Sequence, residues 1–279
     1  DYKDMTDRIV AMFGLTRLVD DLAANDFEQL RAVIARTRGP VSVGNEVQRI
    51  RTLFRYAFET GLVDRPVRFG PSFKRPAKRV LRKVKHANGP KMFENVEIRR
   101  ILNAAPVQLK AMVLLGINAA FGNQDCGLLP IDAVDLDSGW IGFARPKTGI
   151  DRRSPLWPET VEALRAAITV RPVPKDDADA GLVFITKYGK SWHRDTPDNP
   201  VANEIRKLLD SVGIKRKGLG FYGLRHSFRT VADATLDFPA IDLIMGHADP
   251  GIAAHYRERI SDDRLRAVTD SVHTWLFAD

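Results

Sequence analysis

The chain has 279 residues, with 43 lysines and arginines against 35 aspartates and glutamates, and a formal net charge of +8. A length in this range suits one large domain or two modest ones, and the excess of positive charge favours a polyanionic partner. The single cysteine, Cys126, excludes an internal disulfide and favours a reducing, cytoplasmic environment. No signal peptide is visible, and no apolar run approaches the roughly 20 residues of a membrane span, so no membrane partner is expected.

The first third of the chain predicts helices. Residues 1–4 resemble the front of an expression tag, and a short apolar segment then ends at Gly14. A second helix is expected where Asn25 and Glu28 have the spacing of a capping box. A third runs from about Ser42 to Gly61, with an apolar face reaching from Val43 to Phe58. Its opposite face carries Arg49, Arg51 and Arg55, which suit either a solvated surface or a DNA-binding surface.

A basic segment follows this helical region. Residues 65–93 contain ten lysines and arginines and no acidic residue, with four prolines that argue against a continuous helix. The segment is either a disordered connector or a strap along a phosphate backbone, and the exclusion of every acid favours the strap. The residues expected to contact phosphates without reading bases are Lys74, Arg75, Lys78, Arg79, Arg82 and Lys83.

The remainder has a mixed pattern of helices and short strands. Helices are predicted over 96–105, 109–119 and from Pro158 to Ile168, and strands over 140–143, 152–157 and 182–185, with a turn at 146–149. From Asn199 onward the pattern is helical, with breaks at 213–220, 238–239 and 249–251. The predicted fold is therefore mainly α with a small antiparallel β-sheet in the C-terminal domain. We expect a helical domain over 1–64, a linker over 65–91 and a second domain over 92–279.

The sequence contains two patterns that resemble nucleotide-binding motifs, but neither has the neighbouring residues that such a motif requires. Residues 218–223 match the dinucleotide fingerprint G-x-G-x-x-G, but Lys215-Arg216-Lys217 precedes them where an apolar strand is required. Gly39 and Gly44 have the spacing of a phosphate-binding loop, but Asn45-Glu46 replaces its Lys-Ser/Thr. The six histidines lack metal-ligand spacing. We expect no cofactor and no metal.

The C-terminal part carries an ordered set of polar residues. Tyr222-Gly-Leu-Arg225 is followed by Met245-Gly-His247, and Tyr256 lies nine residues after that histidine. This order resembles the tyrosine recombinase (phage integrase) family, whose pattern is H-x-x-R, then G-H, then a tyrosine. The Pro146-Lys147-Thr148-Gly149 turn resembles the strand turn that carries the family's lysine. The resemblance implies a helical core-binding domain and a catalytic domain. The N-terminus of the first is either a native start at Met5 or a truncation of a longer chain.

The resemblance also implies roles for these residues. Tyr256 would attack a DNA phosphodiester and form a covalent phosphotyrosyl bond. Arg225 would stabilise the phosphorane. His247 would bind the same phosphate or assist the tyrosine proton. Lys147 would protonate the leaving 5′ oxygen. His226 is expected to be a structural histidine on the packed side of its helix.

Two departures from the family pattern stand out. Tyr222 replaces the histidine of H-x-x-R, and a phenol with a pKa of about 10 is a poor proton shuttle at neutral pH. No arginine lies between Leu109 and Ala144, where the family has its first arginine, and the neutral Gln124 and Asn123 occupy that place. The best compensating cation is Arg145, since it and Lys147 would face the same way on an extended strand. Arg152 and Arg153 are weaker candidates.

The function expected from this resemblance is a site-specific DNA recombinase acting through a 3′-phosphotyrosine. Two alternatives remain open: a type IB topoisomerase-like nicking and sealing enzyme, and an architectural or regulatory DNA-binding protein with a weakened site. Double-stranded DNA would be the partner, with self-association into a synaptic tetramer. A terminal helix over 262–277 has an apolar stripe that would pack either on its own domain or, as the family habit implies, on a neighbouring protomer.

Overall fold

The computed structural model describes residues 2–196, 198–248, 251–252 and 256–278. The chain divides into two compact units, Asp1–Pro90 and Lys91–Asp279. Within the described residues, no helix is long and apolar enough to cross a bilayer.

The first unit is helical throughout its described part. Helix α1 includes residues 2–4 of the tag-like stretch. Helix α2 begins one residue before the expected capping box, because Asp26 rather than Glu28 accepts the Ala23 amide at 2.8 Å. The apolar face of α3 is buried as far as Phe54, whereas Phe58, one turn further along the same face, is 40% exposed. The helices are α1 Tyr2–Phe13, α2 Ala24–Thr37, α3 Pro40–Glu59 and α4 Lys78–Ala87.

The core of this unit is aromatic. Phe27 is fully buried, and the ring centroids of Phe13, Phe54, Phe69 and Phe73 lie between 4.8 and 5.5 Å from its own. Such edge-on and tilted contacts stabilise a core beyond its area burial. Because Phe69 and Phe73 come from the segment expected to be a linker, that stretch packs on the helices instead of running free.

The remainder of the basic segment also differs from an irregular linker. Residues 78–87 form α4, which packs against α3 within the first unit. None of its residues is buried, but Leu81 and Val84 on its apolar side are half-buried. The six basic residues expected to contact phosphates are all exposed.

The second unit surrounds a core formed by α6, α8, α10 and α12. The predicted helices over 96–105, 109–119 and 158–168 are confirmed within one or two residues at each end. A short helix, α7, was not expected. The helices are α5 Asn95–Ala104, α6 Val107–Asn118, α7 Asn123–Gly127, α8 Pro158–Thr169, α9 Pro200–Ser211, α10 Tyr222–Ala232, α11 Phe238–Met245 and α12 Asp262–Phe277.

The stretch of chain between α7 and α8 forms a small antiparallel sheet. Among the described residues its strands are β1 Val134–Asp135, β2 Trp140–Gly142 and β3 Arg153–Pro155, in the order β1-β2-β3. Ile141 pairs with Ser154, which places the 146–149 turn at the tip of the β2–β3 hairpin. The mainly α fold with a small antiparallel sheet is thus confirmed.

Two local predictions are wrong and one is displaced. Residues 182–185 form only isolated bridges, Pro130 to Leu182 and Ile185 to Ser191, so no strand develops there. The break expected at Phe238-Pro239 falls at Leu236-Asp237, and Phe238 begins α11, since proline suits a first helical turn and Asp237 caps it through the Ala240 amide. His226 is exposed and does not face the packed side of α10. Part of the break expected at 249–251, Asp249 and Pro250, lies outside the described residues.

The terminal helix α12 packs on its own domain. Leu265, Val268, Val272 and Leu276 are fully buried in the core of the second unit. Trp157 holds the middle of the helix by donating from its indole nitrogen to the Thr269 carbonyl at 3.2 Å. Of the two arrangements expected for this stripe, the structure therefore shows packing on its own domain and not docking on a neighbouring protomer.

Candidate active site

Arg225 lies in the first turns of α10 and is 2% exposed. Its Nη1 donates to the Ala120 carbonyl, and its Nη2 donates to the Met245 carbonyl at 2.5 Å. Ala120 has a φ of 53°, an unusual conformation for alanine that is expected where the surroundings impose it. The guanidinium thereby joins the end of α6 to the end of α11, while its Nε is buried without a hydrogen-bond partner among the described residues.

His247 is brought to Arg225 by the end of α11. Gly246 adopts a left-handed conformation with φ of 61°, and the His247 amide donates to the Asp242 carbonyl at 2.9 Å. This is the helix ending that glycine favours. The turn places His247 Nε2 at 2.8 Å from Arg225 Nη2. A glycine is therefore required before the histidine by the geometry of the helix end.

Several positive charges meet around this pair. Burial, followed by the charge of Arg145, lowers the pKa of Arg225 from its usual value to about 10. Burial, followed by the charges of Arg225 and Arg145, lowers the pKa of His247. Both shifts have the sign expected for desolvated groups among like charges. A positively charged site of this kind is suited to receive an anion.

Arg145 lies at the base of the β2–β3 hairpin, beside Gly246. A Cβ added to Gly246 would lie 3.1 Å from Arg145 Cβ, so glycine also allows this close approach. The hairpin turn is closed by bonds from the Thr148 and Gly149 amides to the Arg145 carbonyl, at 3.0 and 2.8 Å. Lys147 is exposed within that turn. The half-buried Arg145 belongs to the charged cluster, whereas no described contact joins Lys147 to it.

A buried ion pair adjoins the same site. Arg152 Nη1 donates to Asp125 Oδ2 at 3.1 Å, and both side chains are less than 10% exposed. The Arg152 guanidinium also lies over the Phe121 ring at 3.9 Å and donates from Nε to the Phe143 carbonyl at 2.8 Å. Burial is the main cause that lowers the pKa of Arg152. Its Nη2 is buried without a partner among the described residues.

The two neutral residues in place of the expected arginine lie next to this ion pair. Asn123 and Gln124 are half-buried in the first turn of α7, whose start is capped by Asp125 through the Gly122 amide at 2.6 Å. Asn123 Oδ1 is buried and lacks a partner in the described part of the chain. The structure thus puts a guanidinium, that of Arg152, near the place where the sequence lacks one.

The two tyrosines of the pattern are exposed. Tyr222 is 48% exposed at the start of α10, one turn before Arg225, with its ring 5.5 Å from that of His226. Tyr256 is 82% exposed. Residues 253–255, just before it, lie outside the described residues. Within the described residues, no contact joins the Tyr256 hydroxyl to Arg225 or His247. Nor do the described residues contain a cluster of three side chains able to hold a metal ion.

The phage integrase family model matches residues 85–262, which is more than half of the chain. The chain belongs to the phage integrase family. A tyrosine recombinase XerC from Alcanivorax borkumensis is 24% identical over 263 residues, covering 91% of this chain and 80% of that protein.

Two solved integrases share the fold of this phage integrase family member. The Tn1549 transposon integrase, in complex with a circular intermediate DNA, is 16% identical with a TM-score of 0.68, covering 96% of this chain and 93% of its own. A lambda integrase dimer bound to a COC′ core site is 13% identical with a TM-score of 0.65, covering 94% of this chain and 71% of its own. The family resemblance inferred from the sequence motifs is confirmed.

In this phage integrase family member, the structure brings together only part of the predicted site. Arg225, His247 and Arg145 form one cluster, whereas the side chains of Lys147, Tyr222 and Tyr256 are exposed. Arg152 was expected only as a weaker candidate cation, and its ion pair with Asp125, 27 residues earlier, was not predicted. Asp242, five residues before His247, was missed altogether. Asp242 has a sequence signal, because a carboxylate one turn before a helix-ending glycine can return to the next residue.

Arg51, expected on a DNA-binding face, has a packing role in the first unit. Its Nη1 donates to the Phe73 carbonyl at 3.1 Å, and its guanidinium lies 4.6 Å from the Phe69 ring centroid. It therefore holds residues 69–73 against α3. Arg49 is half-buried on the same helix, and Arg55 is exposed.

Proposed function

We propose that this protein is a site-specific DNA recombinase that cleaves and rejoins DNA through a covalent 3′-phosphotyrosine on Tyr256. The observation that carries the proposal is the hydrogen-bonded pair of Arg225 and His247, surrounded by further positive charge and followed nine residues later by an exposed tyrosine. Double-stranded DNA is the partner, which fits the net charge of +8. The Tn1549 and lambda integrases, which share the fold, were solved in complex with DNA.

The chemistry needs a nucleophile, charge stabilisation and two proton transfers. Tyr256 Oη attacks the phosphorus, the bond from phosphorus to the 5′ oxygen breaks, and the DNA is left attached through its 3′ phosphate. The tyrosine proton passes to His247, and Lys147 at the hairpin tip gives a proton to the leaving 5′ oxygen. The bond energy is kept in the phosphotyrosyl ester, so resealing needs no external energy source.

Arg225 and Arg145 would balance the charge of the phosphorane. Fixed positive groups act strongly in a site with little water, because they do not reorganise as the charge develops. Since Arg225 is almost fully buried, we expect DNA binding to displace the His247 imidazole from Arg225 Nη2. A phosphate oxygen would then take that donor, and His247 Nε2 would become free to receive the tyrosine proton.

The exposed basic residues of the first unit would contact the DNA backbone. Lys78, Arg79, Arg82 and Lys83 lie on the exposed side of α4, and Lys74 and Arg75 precede it. Contacts of this kind position a duplex without reading its sequence. Arg49 and Arg55 on α3 would add further contacts to phosphates, whereas Arg51 packs against residues 69–73.

A nicked suicide substrate tests the proposal. Duplexes selected from a random library by binding to the protein are nicked at successive positions, so that the short 5′-hydroxyl fragment diffuses away after cleavage. We expect a covalent protein–DNA adduct on a denaturing gel, lost in Tyr256→Phe and kept in Tyr188→Phe, a control at another exposed tyrosine. An adduct that persists at the wild-type level in Tyr256→Phe would show that another residue is the nucleophile.

The same assay separates the alternatives. If no adduct forms on any bound duplex, the protein is a DNA-binding factor with a weakened site, which the replacement of the family's first arginine by Gln124 would explain. If an adduct forms but two sites never exchange strands, the activity is nicking and sealing of the type IB topoisomerase kind. Strand exchange between two labelled duplexes, through a synaptic tetramer, supports recombination.

A further inference from the structure

The hydrogen bond between Arg225 and His247 determines which imidazole nitrogen carries the proton. Arg225 Nη2 lies 2.8 Å from His247 Nε2, and a guanidinium can only donate. Nε2 must therefore accept, and in the neutral ring the proton is on Nδ1. The lone pair of Nε2 is the one that would receive a proton from a reacting hydroxyl once Arg225 binds phosphate.

The Nδ1 side of the ring faces Asp242. Asp242 Oδ1 lies 3.6 Å from Nδ1, and the Asp242 carbonyl accepts the His247 amide at 2.9 Å. The left-handed Gly246 produces this return of the chain onto the last turn of α11. A neighbouring helix holds the carboxylate, since Arg229 Nη1 on α10 binds the same Oδ1 at 2.6 Å while its Nε binds Asp233 at 2.7 Å.

The charged groups that face His247 have opposite effects on its pKa. Burial is the main cause that lowers the pKa of the imidazole, and Arg225 on α10, Arg145 on the hairpin and Arg229 on α10 lower it further, whereas Asp242 raises it. In the described part of the chain, Asp242 is thus the carboxylate that favours the protonated ring against three cations. Arg229 has two effects, because it also fixes that carboxylate in place.

We propose that Asp242, oriented by Arg229, is a positioning residue that directs the Nδ1 proton of His247 and so presents Nε2 to the hydroxyl of Tyr256. The part of this proposal that concerns cleavage rests on the proposed function. When Oη attacks phosphorus, the Tyr256 O–H bond breaks and an N–H bond forms at Nε2. The resulting imidazolium, with protons on both nitrogens, is stabilised by the Asp242 carboxylate.

The competing explanation is that the Arg229–Asp242 pair only joins α10 to α11. A joining role predicts that removal of either partner loosens the contact between α10 and α11. Both variants would then lose stability, and the His247 pKa would move in the same direction in both. The positioning role predicts shifts of opposite sign. Loss of the Asp242 charge should lower the His247 pKa, and loss of the Arg229 charge should raise it, because the two charges act on the ring in opposite directions.

An NMR titration of the free protein measures these shifts without any assumption about activity. The His247 ring signal is assigned by its absence from the spectrum of His247→Gln, and titrations of wild type, Asp242→Asn, Arg229→Gln and Asp242→Glu are compared. His273, which pairs with Glu159 at 3.1 Å elsewhere in the second unit, is the internal control and should not move. Opposite shifts in Asp242→Asn and Arg229→Gln, with values near wild type in Asp242→Glu, support the proposal.

Single-turnover cleavage over pH then tests the link to the reaction. A base must be neutral to accept a proton, so the rate rises through the His247 pKa. The midpoint of this rise should move to lower pH in Asp242→Asn, with a plateau reduced about 10-fold or more, and to higher pH in Arg229→Gln.

The possible failures are distinguishable. An unmoved His247 titration in a folded Asp242→Asn overturns the proposal, and if that variant does not fold, an unmoved titration in Arg229→Gln does so. Shifted titrations with an unshifted cleavage profile overturn the positioning role in the reaction. If wild type forms no adduct at all, the proposed function fails, while the titration still decides whether Asp242 directs the imidazole.

Discussion

Arg152 and Asp125 form an ion pair of 3.1 Å whose two side chains are almost completely buried. The pair connects the return strand of the hairpin to α7, the short helix in which the expected arginine is replaced by Gln124. Removal of one partner leaves the other charge buried without compensation, which is the costly way to change such a pair. The pair therefore maintains the wall of the site next to Arg225.

We expect Arg152→Ala to lower the free energy of unfolding by about 3–5 kcal/mol, the typical cost of breaking a buried ion pair. The neighbouring Arg153→Ala is the control, since its bridge to Asp262 is about half exposed and water screens such a pair, so its loss should cost much less. Urea denaturation of both variants measures the difference. Equal, small losses in the two variants would show that Arg152 is not a structural charge.

Arg145 is expected to act in cleavage more than in binding. It lies beside Gly246 and is close enough to lower the pKa of both Arg225 and His247. Arg145→Ala should reduce the rate of adduct formation roughly 10²–10³-fold, the usual effect of losing one fixed charge donor, with a much smaller change in DNA affinity. Arg165→Ala, at an exposed arginine bound to Asp137, is the control.

Gln124→Arg tests, by adding a charge, whether the site lacks the positive charge that Arg145 is expected to supply. If the site lacks positive charge at α7, a guanidinium introduced there should raise the cleavage rate. The variant also brings a like charge near Arg152, so its stability is measured alongside its rate. Compensation by Arg145 is refuted if Arg145→Ala cleaves normally and Gln124→Arg changes nothing.

The exposed basic face of α4 should govern the salt dependence of binding. Replacing Lys78, Arg79, Arg82 and Lys83 by alanine keeps a good helix former at each position. If these residues contact phosphates, the slope of log affinity against log salt should become shallower by about 3 to 4, since each contact contributes roughly 0.9. The matched control replaces four exposed lysines of the second unit, Lys175, Lys187, Lys190 and Lys207. A slope unchanged in the α4 variant would show that this helix does not contact DNA.

Asp237 joins the starts of α11 and α12 and should make stability depend on pH. Hydrogen bonds from Arg264, at 2.6 and 2.7 Å, are the main cause that holds the pKa of the Asp237 carboxyl below its usual range. A lowered carboxyl pKa stabilises the fold above the ordinary value of about 3.9, and this contribution is lost as pH falls through the lowered pKa.

The difference in unfolding free energy between wild type and Asp237→Asn should therefore shrink between pH 6 and pH 3. Asparagine can still accept the Ala240 amide, so Asp237→Ala should cost about 1 kcal/mol more than Asp237→Asn at either pH. Asp270→Asn, at an exposed position of α12, is the control and should show no such narrowing. A constant difference across this range would exclude the ion pair as a source of pH-dependent stability.

Truncation after Ala267 should unfold the second unit, not merely prevent assembly. It removes Val268, Val272 and Leu276, each fully buried, and burial of such side chains is worth about 1.5–3 kcal/mol apiece. The sum is comparable to the whole stability of a typical domain, which is about 5–15 kcal/mol. A truncated protein that keeps the wild-type thermal transition would show that the helix is dispensable for the fold.

The sequence by itself determined the features that depend on short stretches of chain. The hairpin around Lys147, the helix that carries Tyr222 and Arg225, and the order of Arg225, His247 and Tyr256 all follow from local periodicity, turn residues and motif spacing. The family follows from the same motifs. The hairpin and the helix are predictable because each is specified by residues within one or two turns of one another, and the order of the three motif residues is read directly from the sequence.

Only the tertiary structure decided the relationships between distant segments. Asp125 lies in α7 and Arg152 directly precedes β3, and nothing in their separation along the chain predicts the pair. The apolar stripe of α12 would have the same sequence whether it packed on its own domain or on another protomer. Its packing beside Trp157 shows that it is buried in its own domain. Phe69 and Phe73 lie in a basic segment expected to be an interdomain linker that runs along a phosphate backbone, yet both rings pack around Phe27 in the core of the first unit. Periodicity shows that a side chain will be buried, but the partner that buries it depends on how all the elements pack together.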